Sequence, residues 1–520
     1  MSVDEQKDHS RSRPRLRIGL FFGLLFLLSW AITRVELVPL WGEHPIPFIS
    51  RFGWRILTPA AISGDEPHYL VVVNSLLFDH SFEVRHQYSL VTAGGYEAGA
   101  PFRLVPSLSD HHTILVNQRT GDHQLVQGSY YDPEFLPSPD VYEVSAHPVA
   151  FPALLALIIA PFHPSLVDVE REVGLVLAVI SWLGAMGTYF LARSDGKNRG
   201  TAVVVVLVLV LASPWLAYTR AYYPEATVGG VLVLAMWASI SERPVLAALG
   251  TAAAAIFKPA FGVVGLGLIF DMLRERRGRE ALQMISVLGA CGATLFGFNY
   301  WLTRTPVPGM VLGFGSVLKL ALAAVIAGLT LYLIQRRERR EAVVVFALLG
   351  LCWMALSAFN YLARIPSSPG PAEGLESTFL WQLGATFFAK NYGLLVFVPW
   401  TIFAFIGIGA AFVSDAADSK LLRRMAFPLI LYAVLLALQG STPGYSYGPR
   451  YWVAFLPWLS VAAVQQIASA GRLQKGAFTV LTLIGVAIAI PGALRYPQLF
   501  AQPPSAAWRG PTVDRYRRIE

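Results

Sequence analysis

"TAVVVVLVLVLASPWLAYTRAYYPEATVGGVLVLAMWASI", Thr201 to Ile240, sets two apolar runs on either side of a short polar turn, "TRAYYPEA". Uncharged runs rich in Val and Leu suit helices that cross hydrocarbon, where every backbone polar group must be satisfied within its own segment. The turn gathers Arg220, Tyr222, Tyr223 and Glu225 at the span ends. Similar runs begin near Ile18, Val173, Val245, Pro259, Ala281, Met310, Ala342, Tyr392, Met425, Tyr451 and Ala477, each long enough for a span of about 20 residues or somewhat fewer with snorkelling flanks. Of the 520 residues, 55% are hydrophobic and 14% charged, with a mean hydropathy of +0.52. Soluble domains carry roughly 25% charged residues. The fold class read from this pattern is an all-α polytopic membrane protein with about thirteen transmembrane helices.

The charge pattern orients these spans. The formal charge of +8 does not point to nucleic acid, because the basic residues form short clusters between apolar runs, as the positive-inside rule predicts for cytoplasmic loops. One run, "VAFPALLALIIAPF" from Val149 to Phe162, lies between two His-Pro pairs and is short, which suits an interfacial or re-entrant helix. If it does not cross, the N-terminal tail, Arg193 to Arg199, Arg243, "RERRGR", "RRERR", Lys420 to Arg424, and Arg472 with Lys475 share the cytoplasmic side, and they hold more than half of the 41 Lys and Arg. The basic "RSRPRLR" before Ile18 resembles a signal-peptide flank, but no small-residue cleavage motif follows, so this segment reads as an uncleaved first span.

The resulting organisation is a cytoplasmic basic tail (1–17), a first transmembrane helix (18–37), a large extracytoplasmic loop with juxtamembrane helices (38–171), transmembrane helices 2–13 (172–494) and an extracytoplasmic tail (495–520). The short spans around Lys258-Pro259 are the weakest. In the long outer loop, "TILVNQRTGDHQLVQGSYY" alternates like two strands about Thr120-Gly121 and predicts a small β-hairpin. Cys291 and Cys352 both lie in apolar runs, so the sequence offers neither a disulfide framework nor a CxxC metal site.

This topology puts "SGDEPHYLVV", Ser63 to Val72, on the outer side soon after the first span. Ser63 and Glu66 fit a helix capping box. Capping leaves Asp65, His68 and Tyr69 unexplained; their spacing puts them on one helix face. Glu225, Lys258, Arg304, Lys390, Tyr447 and Arg450 fall on the same side at the ends of later spans. Each alone could snorkel or join an aromatic belt. Collected together they are harder to dismiss, since a charge at the bilayer centre costs roughly 2.5 to 3.5 kcal/mol. Carboxylates beside cations suit transfer of a group from a lipid-anchored phosphate: the acid takes the proton of an incoming hydroxyl, and Arg or Lys stabilises charge on the departing phosphate.

The Asp-Glu pair and tyrosine of "GDEPHYL", the later acid of "YYPEA" and the late "YGPRYW" followed by Leu456-Pro457 together resemble glycosyltransferase family 39. That family belongs to the GT-C class of polytopic transferases, which includes protein mannosyltransferases and lipid A aminoarabinose transferases. The resemblance covers the layout and some forty residues of motif. It implies a GT-C-like fold, a polyprenyl-phosphate sugar as donor, and a glycolipid, glycan or protein as acceptor at the outer face of the cytoplasmic membrane. It also implies a first carboxylate, here Asp65, that acts as base or helps bind the acceptor or a metal. On this reading Asp65 and Glu66 are the catalytic pair, Glu225, His68 and Tyr69 form an acceptor or second acidic site, and Arg450, Lys258, Arg304, Lys390 and Tyr447 contact the donor phosphate. Direct displacement at the anomeric carbon implies inversion. With no large soluble domain between the later spans, the chain departs from the eukaryotic protein-mannosylating pattern, which favours a bacterial enzyme acting on a glycolipid or envelope glycan.

This reading fixes no cofactor and leaves a divalent metal open. A divalent metal could sit at Asp65 and Glu225, with Glu66 and His68 as further ligands, although no HExxH or spaced Cys/His motif is present. His111, His112 and His123 are expected to face solvent. The rival readings are a transporter or flippase of lipid-linked sugars, which predicts mid-span charges and internal symmetry, and an oligosaccharide polymerase or ligase.

Overall fold

The computed structural model describes residues 18–31, 35–39, 52–56, 66–92, 111–117, 119–120, 122–128, 140–165, 169–194, 196–219, 221–303, 379–413, 420–439 and 447–495. The first helix, α1 (Ile18–Ala31), precedes a strand pair, β1 (Val35–Pro39) and β2 (Phe52–Ile56), which run antiparallel. The expected first span to residue 37 therefore includes residues that form a strand instead. Val35 and Val38 are β-branched and Pro39 closes the segment.

Three short helical segments and a sheet follow. Helix α2 (Glu66–Asn74) continues into a π-helical turn, Ser75–Asp79, and α3 (Arg85–Thr92) comes next. The predicted hairpin is present as β3 (His111–Asn117) and β4 (His123–Gly128), and β5 (Val141–Ser145) extends it on the β3 side. The sheet and α2 share a small core of Val71, Val84, Ile114, Val116 and Val144. The run from Val149 to Phe162 forms α4 (Ala150–Ile159) and one 3-10 turn, with Leu157 exposed and Leu155 and Ile159 buried.

The bundle comprises α5 (Val169–Ser194), α6 (Arg199–Leu211), α7 (Trp215–Tyr218), α8 (Glu225–Ile240), α9 (Pro244–Phe257), α10 (Val263–Arg274), α11 (Gly278–Thr303), α12 (Phe379–Phe388), α13 (Leu394–Phe397), α14 (Thr401–Val413), α15 (Lys420–Gln439), α16 (Leu456–Ala468) and α17 (Arg472–Arg495). Among the described residues, Val169–Ser194, Gly278–Thr303, Arg450–Ala468 and Arg472–Leu494 are helical stretches long and apolar enough to cross a membrane. Others are shorter than their apolar runs suggested. The run from Tyr392 is interrupted before Thr401, where Pro399 lacks a backbone donor. The runs at Met310 and Ala342 lie outside the described residues, so the count of thirteen is an expectation only.

The packing is that of helices in lipid. Leu20, Leu24, Leu234, Leu249 and Leu483 point outward, while Trp215, Trp400, Trp452 and Trp458 are buried. Small residues let backbones approach: a Cβ on Gly184 of α5 would lie 3.2 Å from Gly230 Cα of α8. Asn198 caps α6, its Oδ1 accepting the Thr201 N–H at 2.8 Å.

The ends of α8 and α10 and the start of α15 are tied by Arg424, which is fully buried. Its Nε donates to Asp271 at 3.2 Å, one Nη donates to Glu275 at 2.8 Å and the other to the Ser239 carbonyl. Burial pushes the Glu275 carboxyl up, but its hydrogen bond and attraction to Arg424, with Lys420 and Arg277 nearby, outweigh this and hold it below the ordinary glutamate value.

Arg424→Leu should destabilise the protein by about 3 to 5 kcal/mol, because it leaves the buried Asp271 carboxylate with Arg274 alone and takes from the Ser239 carbonyl its side-chain donor. The double variant with Asp271→Asn should lose less than the two single variants summed, as read from thermal midpoints in detergent. The depressed Glu275 makes its stabilisation complete above the ordinary value of about pH 4.3. That contribution disappears as pH falls through its lower folded value. An acid titration of the midpoint should show this step in wild type and lose it in Glu275→Gln.

Candidate active site

At the opposite end of α8, about 21 Å by helical rise from the Ser239 carbonyl that Arg424 holds, lies a buried ionic triad. Glu225 opens α8 just after Pro224, where the macrodipole favours a carboxylate. It is completely buried. Its Oε1 accepts from Lys258 Nζ at 2.5 Å and from Arg450 Nε at 2.8 Å. Its Oε2 makes no hydrogen bond among the described residues. Lys258 sits in the extended link between α9 and the 3-10 turn Pro259–Gly262, and Arg450 opens the 3-10 turn Arg450–Phe455 that leads into α16.

Tyrosines hold the two cations. The Arg450 guanidinium carbon lies 3.7 Å from the Tyr223 ring centroid, and Lys258 Nζ lies 4.4 Å from that of Tyr451. Tyr432 donates to the Tyr451 carbonyl at 2.8 Å and stacks on Phe261, fixing the wall behind them. The close seating of the Arg450 turn on α8 depends on Gly229, one helical turn after Glu225. A Cβ there would lie 2.9 Å from the Trp215 ring and 3.1 Å from the Ala454 carbonyl oxygen.

The acidic stretch of the first loop reaches the same end of the bundle. Glu66 is buried, and its Oε1 accepts the backbone N–H of Tyr222 at 2.8 Å, three residues before Glu225. The Tyr222 hydroxyl donates to the Glu170 carbonyl at 3.0 Å. This oxygen of Glu66 thus ties α2 to the turn that delivers Glu225. His68 turns to a different set of partners: its Nδ1 is 2.6 Å from the Tyr88 hydroxyl, and its ring stacks on His147 with centroids 5.3 Å apart. Burial, with the Glu143 charge, pushes the Tyr88 phenol well above its usual value, so it stays neutral in this pair. Tyr69 packs on His147 and Phe151.

The structure therefore joins Glu225, Lys258 and Arg450 directly and links Glu66 to them through Tyr222. His68 and Tyr69 pack in an aromatic cluster with Tyr88, His147 and Phe151. Tyr447 is buried, and its hydroxyl donates to the Ile488 carbonyl at 2.9 Å, a bond that joins the start of the late motif to α17. Lys390 is exposed in the turn after α12. Asp65 and Arg304 lie outside the described residues, as do the side chains of His111, His112 and His123. No group of three or more His, Cys, Asp or Glu suited to a metal occurs among the described residues. The sequence reading did not single out Tyr451, Tyr88 or His147. The only sequence signals were the tyrosine beside Arg450 and the His-Pro pair before α4.

No family model and no characterised protein sequence matches this chain. Two solved structures show a distant likeness to it. One is the archaeal oligosaccharyltransferase AglB from Archaeoglobus fulgidus, in complex with an inhibitory peptide and a dolichol-phosphate, at 14% identity and a TM-score of 0.35, covering 68% of this chain. This chain spans about half of that protein, 47% of its length. Another is ArnT from Cupriavidus metallidurans bound to undecaprenyl phosphate, at 14% identity and a TM-score of 0.24, covering 67% of this chain and 74% of ArnT. At this distance the likeness assigns neither the activity nor the ligand of those proteins to this chain.

The triad makes a direct prediction about coupling. Glu225→Gln and Lys258→Met should each lower the thermal midpoint of the detergent-solubilised protein, since each breaks a buried ion pair. The double variant should recover about 0.5 to 3 kcal/mol relative to additivity. Strict additivity would mean that the two side chains do not interact.

Proposed function

We propose that this protein is a membrane glycosyltransferase that moves a sugar from a polyprenyl-phosphate donor to a hydroxyl or amine of a glycolipid, glycan or protein acceptor, with inversion. The observation that carries the reading is the buried Glu225–Lys258–Arg450 triad, two cations backed by tyrosine faces at one end of the bundle. The three groups sum to one positive charge, which favours an anionic ligand at membrane depth. Arg450 and Lys258 hold the donor phosphate; Arg304 and Lys390 are further candidates. Asp65, adjacent to Glu66 on the stretch tied to this turn, takes the acceptor proton.

In the proposed step the acceptor hydroxyl oxygen attacks the anomeric carbon as Asp65 removes its proton. The bond from that carbon to the phosphate oxygen breaks with its electron pair. The departing polyprenyl phosphate gains negative charge, which the two cations stabilise. Glu225 keeps both cations oriented while the phosphate is absent. The proton on Asp65 passes to solvent or to the released phosphate. We place the active site at the extracytoplasmic face of the inner membrane, with Val149 to Phe162 lying on that surface and the N-terminus inside.

Asp65→Asn should leave the protein monodisperse yet reduce turnover of a polyprenyl-phosphate sugar by about 10² to 10⁴-fold, the usual contribution of a general base. Near-normal turnover would transfer the role to Glu66 or another acid. Arg450→Lys keeps the charge but loses the planar contact with Tyr223 and Glu225. It should therefore raise KM for the donor more than it lowers kcat; unchanged kinetics would remove Arg450 from the donor site.

A further inference from the structure

The end of the bundle that holds the Arg424 clamp carries a second set of charges that the proposed reaction does not use. The acids there are already engaged: Glu275 with Arg424 and Arg277, Glu280 with Arg277, Asp271 with Arg424 and Arg274, and Glu242 with Lys420. Arg243, Arg276 and Arg279 remain exposed at the two turns, α8–α9 and α10–α11. Among the described residues no carboxylate lies within ion-pair distance of any of the three. Arg243 lies over the Trp237 ring at 5.4 Å.

Two further features point to an oxygen-rich ligand. Arg274 Nε and Arg277 Nη2 are buried with no hydrogen-bond partner among the described residues, so positive charge behind these turns is incompletely matched. The N-termini of α9 and α11 open at these same turns, adding positive dipole ends. The neighbouring surface decides which anion. Leu246 and Leu249 of α9, Leu273 of α10 and Leu282 of α11 are all exposed, within a turn or two of the arginines. A soluble anion has no use for that apolar rim, whereas a lipid matches the headgroup to the arginines and the acyl chains to the leucines.

We propose that the α8–α9 and α10–α11 turns form a binding site for the phosphate headgroup of an anionic membrane lipid, with Arg243, Arg276 and Arg279 as its contacts. A zwitterionic lipid offers the same phosphate but cancels its charge with a bound ammonium, so the site selects anionic headgroups. The site is independent of the donor-phosphate site at the other end of α8. It lies beside the clamp, so occupancy stiffens the junction of α8, α10 and α15.

The test uses the full-length protein in nanodiscs of phosphatidylcholine alone or with phosphatidylglycerol, scored by retained lipid in native mass spectrometry and by thermal midpoint. Wild type should retain phosphatidylglycerol and gain thermal stability from it. The triple variant Arg243→Gln, Arg276→Gln, Arg279→Gln should bind it at least about a hundredfold more weakly, from the loss of charge-assisted hydrogen bonds to the phosphate. A control variant, Arg193→Gln, Lys197→Gln, Arg199→Gln, removes three charges at the α5–α6 turn and should keep wild-type affinity. Equal losses in both variants would reduce the effect to diffuse attraction and overturn the site. Displacement of the lipid by equimolar inorganic phosphate, or equal retention of phosphatidylcholine, would overturn the assignment to an anionic lipid.

Discussion

Glu225 shares one carboxylate oxygen between an ammonium and a guanidinium, and each of these cations faces a tyrosine ring. Inside a membrane protein none of the three groups could be buried alone, since an unpaired charge at such depth is several kcal/mol uphill. They must therefore be delivered as a set. The α9–α10 link delivers Lys258, the turn after Pro449 delivers Arg450, and the first turn of α8 delivers Glu225. Much of the local packing follows from that demand: Gly229 lets the Arg450 turn close on α8, Tyr432 braces Tyr451, and Glu66 holds the turn before Glu225.

Helix α8 links this set to a second one. At its far end the Ser239 carbonyl accepts from Arg424, which also holds Asp271 and Glu275. A single helix thus runs between two charged junctions, with Leu234 exposed on its outer side and Gly230 facing α5. Charge at both ends and apolar surface between them fixes how the helix can sit along the membrane normal. It cannot slide by a turn without burying one junction or exposing apolar surface at the other.

The sequence made the ends legible and the pairings obscure. Glu225, Lys258 and Arg450 were readable as a group because charges beside apolar runs are conspicuous. Their direct contact was not, since 33 and 225 residues separate Glu225 from its two partners. The hairpin about Thr120-Gly121 was legible from period-two alternation, but β5 and the pair β1–β2 were not: five-residue strands carry little periodic signal, and Val35 to Leu37 read as the tail of a span. Helix lengths were also over-read, because hydropathy does not register the break at Pro399. His68 was singled out for its position beside Asp65, yet its partners Tyr88 and His147 come from segments with no pattern linking them to it.

The central claim is that two tyrosine-backed cations sharing a buried glutamate hold a lipid-linked phosphate. Its most direct test is an experimental structure of the full-length protein with a polyprenyl monophosphate bound. The account predicts phosphate oxygens at charge-assisted hydrogen-bond distance, about 2.7 to 2.9 Å, from Lys258 Nζ or the Arg450 guanidinium, with Glu225 still on the other side of the pair. A phosphate bound elsewhere, with the Glu225–Lys258–Arg450 triad untouched, would contradict it.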